Sequence, residues 1–212
     1  MDELIAGIAV PQSAAATQAT RLVEATLSPM LFHHSRRVFF FGSLHAAARH
    51  LEVDSDLLYL ASIFHDTGLV APFAEPAQRF EIDGADKARR FVLEHGFDDG
   101  SADAVWQAIA LHTTPEIPSR MTPLIAATNL GVLTDVVGVG LDALDPRLVE
   151  QVVARHPRDD FKSEFPRAYF EGQKHRPATT YGTVNADVVR HFMPEYHAAG
   201  MIQRIHDAPW TG

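Results

Sequence analysis

The chain has 212 residues, with 27 acidic and 18 basic side chains, a formal net charge of −9 and no cysteine. That length suits one domain with a sizeable core. The missing cysteines exclude disulfides, zinc fingers, iron–sulfur clusters and thiol nucleophiles, and an acidic chain without a basic block argues against nucleic acid or an anionic membrane as partner.

Hydrophobic residues make up 46% of the chain, yet no apolar run approaches the ~20 residues of a membrane span. Asp2 and Glu3 stand where a secretion signal carries Lys or Arg, so a cytoplasmic protein is expected. Histidine is abundant, at 12 residues against 4 tyrosines, which directs attention to metal or acid–base chemistry.

Helical periodicity dominates, and no alternating strand is evident. The spacing predicts helices over Ser13–Leu27 and Pro29–Leu51, then over Ser55–Asp66 with Ser55 as N-cap. Further helices are expected over Ala85–Gly96, over Ser101–Thr114 capped by Ser101, and over Thr122–Gly138 with proline just inside the cap. The last three are Asp145–Pro157, Phe161–Lys174 and Thr183–Phe192. Pro157–Gly182 is polar, aromatic and rich in turn residues, and reads as a helix followed by a loop over a site. The expected architecture is all-α: a single globular domain of about eight or nine helices. Its core runs over residues 10–192, with 1–10 and 195–212 peripheral.

The stretch "IFHDTGL" places His65 beside Asp66 at the end of an apolar run. If the helix unwinds at Thr67–Gly68, both can face one ion. The structural alternative is a dipole-capping histidine followed by a turn-opening aspartate. His34 lies in the aromatic helix "LFHHSRRVFFFG", on the same face as Arg37. Asp135 is a lone carboxylate in the apolar "NLGVLTDVVGVG", where an unpaired charge would cost several kcal/mol. It therefore needs a cation: a metal, or an arginine from another helix such as Arg37. Together His34, His65, Asp66 and Asp135 make a candidate ligand set for one divalent metal. Two histidines and two aspartates suit Zn, Fe, Mn, Co or Ni.

The order His … His-Asp … Asp resembles the HD-domain superfamily, in which an all-helical fold holds a divalent metal on these residue types. Several stretches resemble its cyanamide hydratase-like branch more narrowly. "FHHSRRVFFFG" is similar to "NHSxRVYYYG", "IFHDTGL" to "LHDIG", "RFEIDGADKAR" to "SFEFxGGxxA", and "LTDVVG" to "LDNVG". The departures include His33 for Asn and Ala178 for Trp. The resemblance implies hydration of a small nitrile-type substrate such as cyanamide, giving urea, and favours Zn or Fe as the ion. Dinuclear relatives carry a histidine where this chain has Phe80, which implies one metal rather than two. It also implies catalytic roles for His112 and Glu81 as proton carriers and for Arg37 in holding a carboxylate ligand. Phe80, Lys174 and Tyr181 become candidate substrate-binding residues, and a homodimer is an expectation from the family.

Each has a plainer alternative. His112 can cap a helix end, Glu81 can sit at a solvated helix N-terminus, and phenylalanines such as Phe80 can be core. Two other functions compete. One is a phosphohydrolase, which would use cations such as Arg36, Arg37, Arg79, Lys87, Arg89 or Arg90 to hold phosphate. The other is a non-catalytic metal-binding module.

Overall fold

The computed structural model describes residues 4–210. Asp2 and Glu3, on which the expected location rests, lie outside that range. The chain opens with a minimal hairpin, β1 (Leu4–Ile5) against β2 (Ile8–Ala9), antiparallel, with Leu4 opposite Ala9. The sequence pattern did not announce it. Two-residue strands are too short to show alternation, and the turn rests on positive φ at Ala6 and Gly7.

Ten α-helices follow among the described residues, confirming the all-α class. They are α1 (Ala14–Glu24), α2 (Pro29–Ala48), α3 (Ser55–Phe64), α4 (Phe80–Glu94) and α5 (Asp99–Ala110). Then come α6 (Pro123–Val137), α7 (Pro146–Arg155), α8 (Phe161–Glu171), α9 (Asn185–Phe192) and α10 (Met201–His206). α10 was not expected; it is short and exposed, with no buried face to print a period.

Aspartates supersede two of the expected serine caps. Asp54 accepts from Leu57 N at 3.0 Å and starts α3. Asp98 accepts from Ser101 N at 2.8 Å and starts α5. α4 begins at Phe80, not Ala85, because Glu81 and Asp83 suit the positive end of a helix and Gly84 sits within the helix instead of breaking it.

The centre of the fold is α2, which is buried on nearly every face from Leu31 to Ala46. It crosses α6 almost backbone to backbone. A Cβ on Gly131 would lie 2.3 Å from Val38 O and 3.0 Å from Gly42 N, so only glycine permits this approach. One turn from that crossing on each helix stand His34 and Asp135. The glycine contact is thus what brings these two polar residues together inside an apolar core.

Candidate metal centre

α3 ends at Phe64, and His65 continues its right-handed conformation as C-cap. Asp66 then leaves the helix and a single 3-10 turn, Thr67–Leu69, follows. This is the unwinding expected at Thr67–Gly68, and it lets adjacent residues face one point. The turn is clamped from above: a Cβ on Gly68 would meet Phe80 O at 2.0 Å and Gly84 N at 2.9 Å.

Three side chains converge there, all buried: His34, His65 and Asp66. His34 Nε2 and His65 Nε2 are 3.1 Å apart. Asp66 Oδ2 lies 3.5 Å from His34 Nε2 and 3.3 Å from His65 Nε2. Two donors each ~2.1 Å from one ion and separated by ~90–109° stand about 3.0–3.4 Å apart. The three edges match that span to within about 0.1 Å.

The proton inventory makes the same case. His65 Nδ1 lies 2.7 Å from Ser62 O, and His112 Nδ1 lies 2.6 Å from Ile109 O. A carbonyl only accepts, so in both rings Nδ1 carries a hydrogen and the other ring nitrogen, Nε2, faces inward. His34 Nδ1 lies 2.6 Å from Asp135 Oδ2. The Asp135 carboxyl is depressed to about 2: burial pushes it up, but the bonds from His34 and Arg37 outweigh that. It is therefore an ionised acceptor, and His34 also donates through Nδ1. Asp66 Oδ2 is buried without a hydrogen-bond partner. Three atoms able to accept thus face one another, an arrangement that a cation relieves. Without a cation a proton must serve. Burial lowers the His65 pKa, but the Asp66 carboxylate opposes this and leaves it raised. Burial likewise pushes Asp66 up, yet the surrounding imidazoles hold it well below the usual carboxylate range.

Asp135, expected as a direct fourth ligand, is placed differently. It lies on the far ring nitrogen of His34 and does not join the three-residue cluster. Arg37 grips it with Nε on Oδ1 at 2.7 Å and a terminal nitrogen on Oδ2 at 3.0 Å, and Arg158 also bonds Oδ1. Of the two cations the sequence offered, the arginine is the one seen: Arg37 neutralises the charge, and the carboxylate in turn orients a histidine of the cluster. Arg37 holds that carboxylate and also bonds the carbonyls of His156 and Pro157.

His112 stands at the edge of the cluster, its Nε2 3.6 Å from Asp66 Oδ1 and its ring edge-on to His65. Glu81 is buried but fully engaged. It accepts from Arg79, from Thr113 Oγ1 at 2.6 Å and from Asn185 Nδ2 at 2.9 Å. Those bonds draw its pKa down against the upward push of burial. It ties α4 to α9.

A cavity of about 540 Å³ opens over the cluster and is lined by His34, His65, Asp66 and His112. Its remaining walls come chiefly from α6, α8 and α9. A larger hollow of about 870 Å³ between the Pro72–Gln78 loop and α4 contains no member of the cluster, so the smaller cavity is the candidate site.

The three residues expected to bind substrate do not line it. Phe80 is buried behind His112, edge-on to that ring and to Tyr169. Lys174 pairs with Glu171. Tyr181 is drawn toward α10, where Arg204 stacks on its ring at 3.9 Å. Their places are taken by residues the sequence reading passed over: Val132 and Val136 on α6, Phe165 and Tyr169 on α8, Val184 and Val188 near α9. Four-residue spacing in each pair was the available signal, but in an apolar helix it does not distinguish a cavity wall from core. Tyr169 stays protonated, because burial, Glu81 and Asp66 all raise its pKa; its hydroxyl donates to Asn185 Oδ1 at 2.7 Å.

A family model described as the HD domain matches residues 31–162, more than half of the chain. The chain belongs to the HD domain family. The match runs from α2 to the start of α8 and includes His34, His65, Asp66, His112 and Asp135. HD domains are mostly metal-dependent hydrolases, and the His-His-Asp cluster of this one is compatible with a divalent metal. No curated protein matches the chain. No helix among the described residues is long and apolar enough to cross a membrane.

Proposed function

We propose that this HD protein is a metal-dependent hydratase of a nitrile-type substrate, related to the cyanamide hydratase-like branch. One observation carries the reading: the metal-compatible cluster forms the floor of a cavity that no lysine or arginine lines. The overall change is R–C≡N + H₂O → R–C(=O)–NH₂. Water oxygen bonds to the nitrile carbon, both water hydrogens end on nitrogen, and nothing is oxidised. For cyanamide the product is urea.

His34, His65 and Asp66 would hold the ion, zinc or iron by preference, with manganese, cobalt and nickel compatible. When bound, such an ion acts as a Lewis acid on the C–N bond and makes water more acidic. Asp135, fixed by Arg37 and Arg158, keeps His34 turned with Nε2 inward. His112, with Nδ1 tied to Ile109 O, presents Nε2 to the cavity as proton acceptor and then returns the proton to the substrate nitrogen. The apolar walls exclude bulk water, which strengthens each of these interactions.

A phosphohydrolase is the less favoured reading, because none of the arginines and lysines that could grip phosphate lines the cavity. Arg37 holds Asp135, Arg79 holds Glu81, Arg89 pairs with Asp99 and Asp103, and Lys87 sits over the Phe73 ring. The test is metal content per chain followed by parallel assays for amide and for phosphate release. Amide release that requires the metal supports the proposal; phosphate release alone overturns it.

A further inference from the structure

Cyanamide has three heavy atoms. One water takes up ~30 Å³ in the liquid, so such a substrate fills on the order of a tenth of the space. The cavity itself is about 540 Å³, within the range of sites that enclose much larger ligands.

What lines the unused volume is apolar. Val132 and Val136 face Phe165, Tyr169 and Val188 across it, and Val184 carries the lining outward. Val137 and Val184 are 66% and 43% exposed, so the apolar surface continues to the rim. The polar side chains of the wall are already paired. Tyr169 donates to Asn185, and Thr113 donates to Glu81. The charged side chain at the rim is Glu116, which disfavours an anion.

Resting on the hydratase reading, we infer that the physiological substrate is an uncharged nitrile with a hydrocarbon substituent of several carbons. Its C≡N end meets His34, His65, Asp66 and His112, and its tail lies between α6, α8 and α9. The substrate must reach the enzyme through a reaction class that makes aliphatic or aromatic nitriles, and the product is the matching primary amide.

The test uses the metal-loaded protein and two homologous series. Straight-chain amides from acetamide to octanamide are titrated by calorimetry, and the corresponding nitriles and cyanamide are assayed for amide release. Binding should tighten about fourfold per methylene until the cavity is full. Nitrile kcat/KM should rise in step and exceed that of cyanamide. Val136→Lys on α6 and, independently, Val188→Lys on α9 should erase the chain-length dependence while leaving metal content unchanged. Affinity independent of chain length, with cyanamide turned over as well as any alkyl nitrile, overturns the inference and leaves the hydratase reading standing. A clear chain-length dependence without turnover of any nitrile does the reverse: the apolar ligand stands and the reaction falls. Neither slope nor turnover overturns both.

Discussion

Asp135 and His34 meet through a 2.6 Å hydrogen bond on the ring nitrogen opposite the one that faces His65. A carboxylate behind a metal-facing histidine fixes its tautomer and makes it a better ligand. Asp135→Asn keeps the size but removes the charge. Metal affinity should fall about 10–100-fold without being abolished, as read by competition with a chelator of known affinity. Complete loss of metal would instead make Asp135 a direct ligand. Asp135→Ala goes further, because it leaves the buried Arg37 charge without its carboxylate. It should destabilise the fold by about 3–5 kcal/mol in denaturant titration.

Removing the ion tests the cluster itself. At a thousandfold excess over its Kd, a metal that binds only the folded chain adds about 4 kcal/mol. For a chain of this size that is about 8–16 °C in Tm. Chelation should remove this increment and re-addition should restore it. His65→Ala and Asp66→Ala should show neither response. A metal-dependent shift that persists in both variants would place the ion elsewhere.

Gly68 is the backbone condition for the cluster. The Cβ of Gly68→Ala would collide with Phe80 O and Gly84 N, both main-chain atoms that cannot rotate away. The 3-10 turn after Asp66 would have to move. The variant should lose metal binding even though no ligand has changed, with retained helical circular dichroism showing that the rest of the fold survives. Normal metal binding in Gly68→Ala would mean that the turn has slack the packing does not show.

How far the sequence was legible follows from where each signal lived. Apolar periodicity and proline stops located nine helices because each packs a face against the core. The hairpin at Leu4–Ala9 and the exposed α10 carry no comparable face and left no period. His34, His65 and Asp66 were legible because burying such groups side by side demands compensation. Asp135 was identified for the same reason, but its geometry was not: sequence can say that a charge needs a partner, not which side of a ring the partner occupies. The cavity walls were illegible. A valine facing a void and a valine facing a phenylalanine look alike in a string of letters. For Lys174 and Tyr181 the signal is only likeness to a loop, and Glu171 and Arg204 take those side chains away.

Arg176 fastens the segment beyond α8 to the turn of the cluster. Its guanidinium bonds Gly68 O at 2.6 Å, Glu75 O at 2.7 Å and Gln78 O at 2.9 Å, and pairs with buried Asp83. Arg176→Ala leaves Asp83 buried without its cation and removes a donor from four carbonyls, Gly172 O among them. A loss of about 3–5 kcal/mol is expected in urea titration. The double variant Arg176→Ala with Asp83→Ala should recover part of it. If the single variant is neutral, this junction is not what holds the segment down.

Two buried histidines away from the cluster contribute to the acid limb of stability. His156 is depressed to about 3 by burial, then by Arg36, His33, Arg155 and Arg37. His45 is depressed to about 4 by burial and Arg49; its Nε2 lies 2.8 Å from Thr134 Oγ1, which itself donates to Val139 O, so His45 is the donor. Both rings are neutral in the folded chain at pH values where the unfolded chain, titrating at ~6.5, has already taken up a proton. The unfolded state therefore binds more protons between those limits, and stability rises with pH across that window. Their contribution is whole above pH ~6.5. It declines as pH falls toward about 4 for His45 and about 3 for His156. Asp135 adds a lower step with the same sign. Its depressed pKa stabilises the fold above its unfolded value of ~3.9 and is lost toward about 2. Denaturant titrations of the metal-free protein from pH 7.5 to 4.5 should show stability falling below about pH 6.5. His156→Gln and His45→Gln should each flatten that fall, whatever they do to stability at pH 7.5. An unchanged slope in both variants would mean that other groups carry the acid sensitivity.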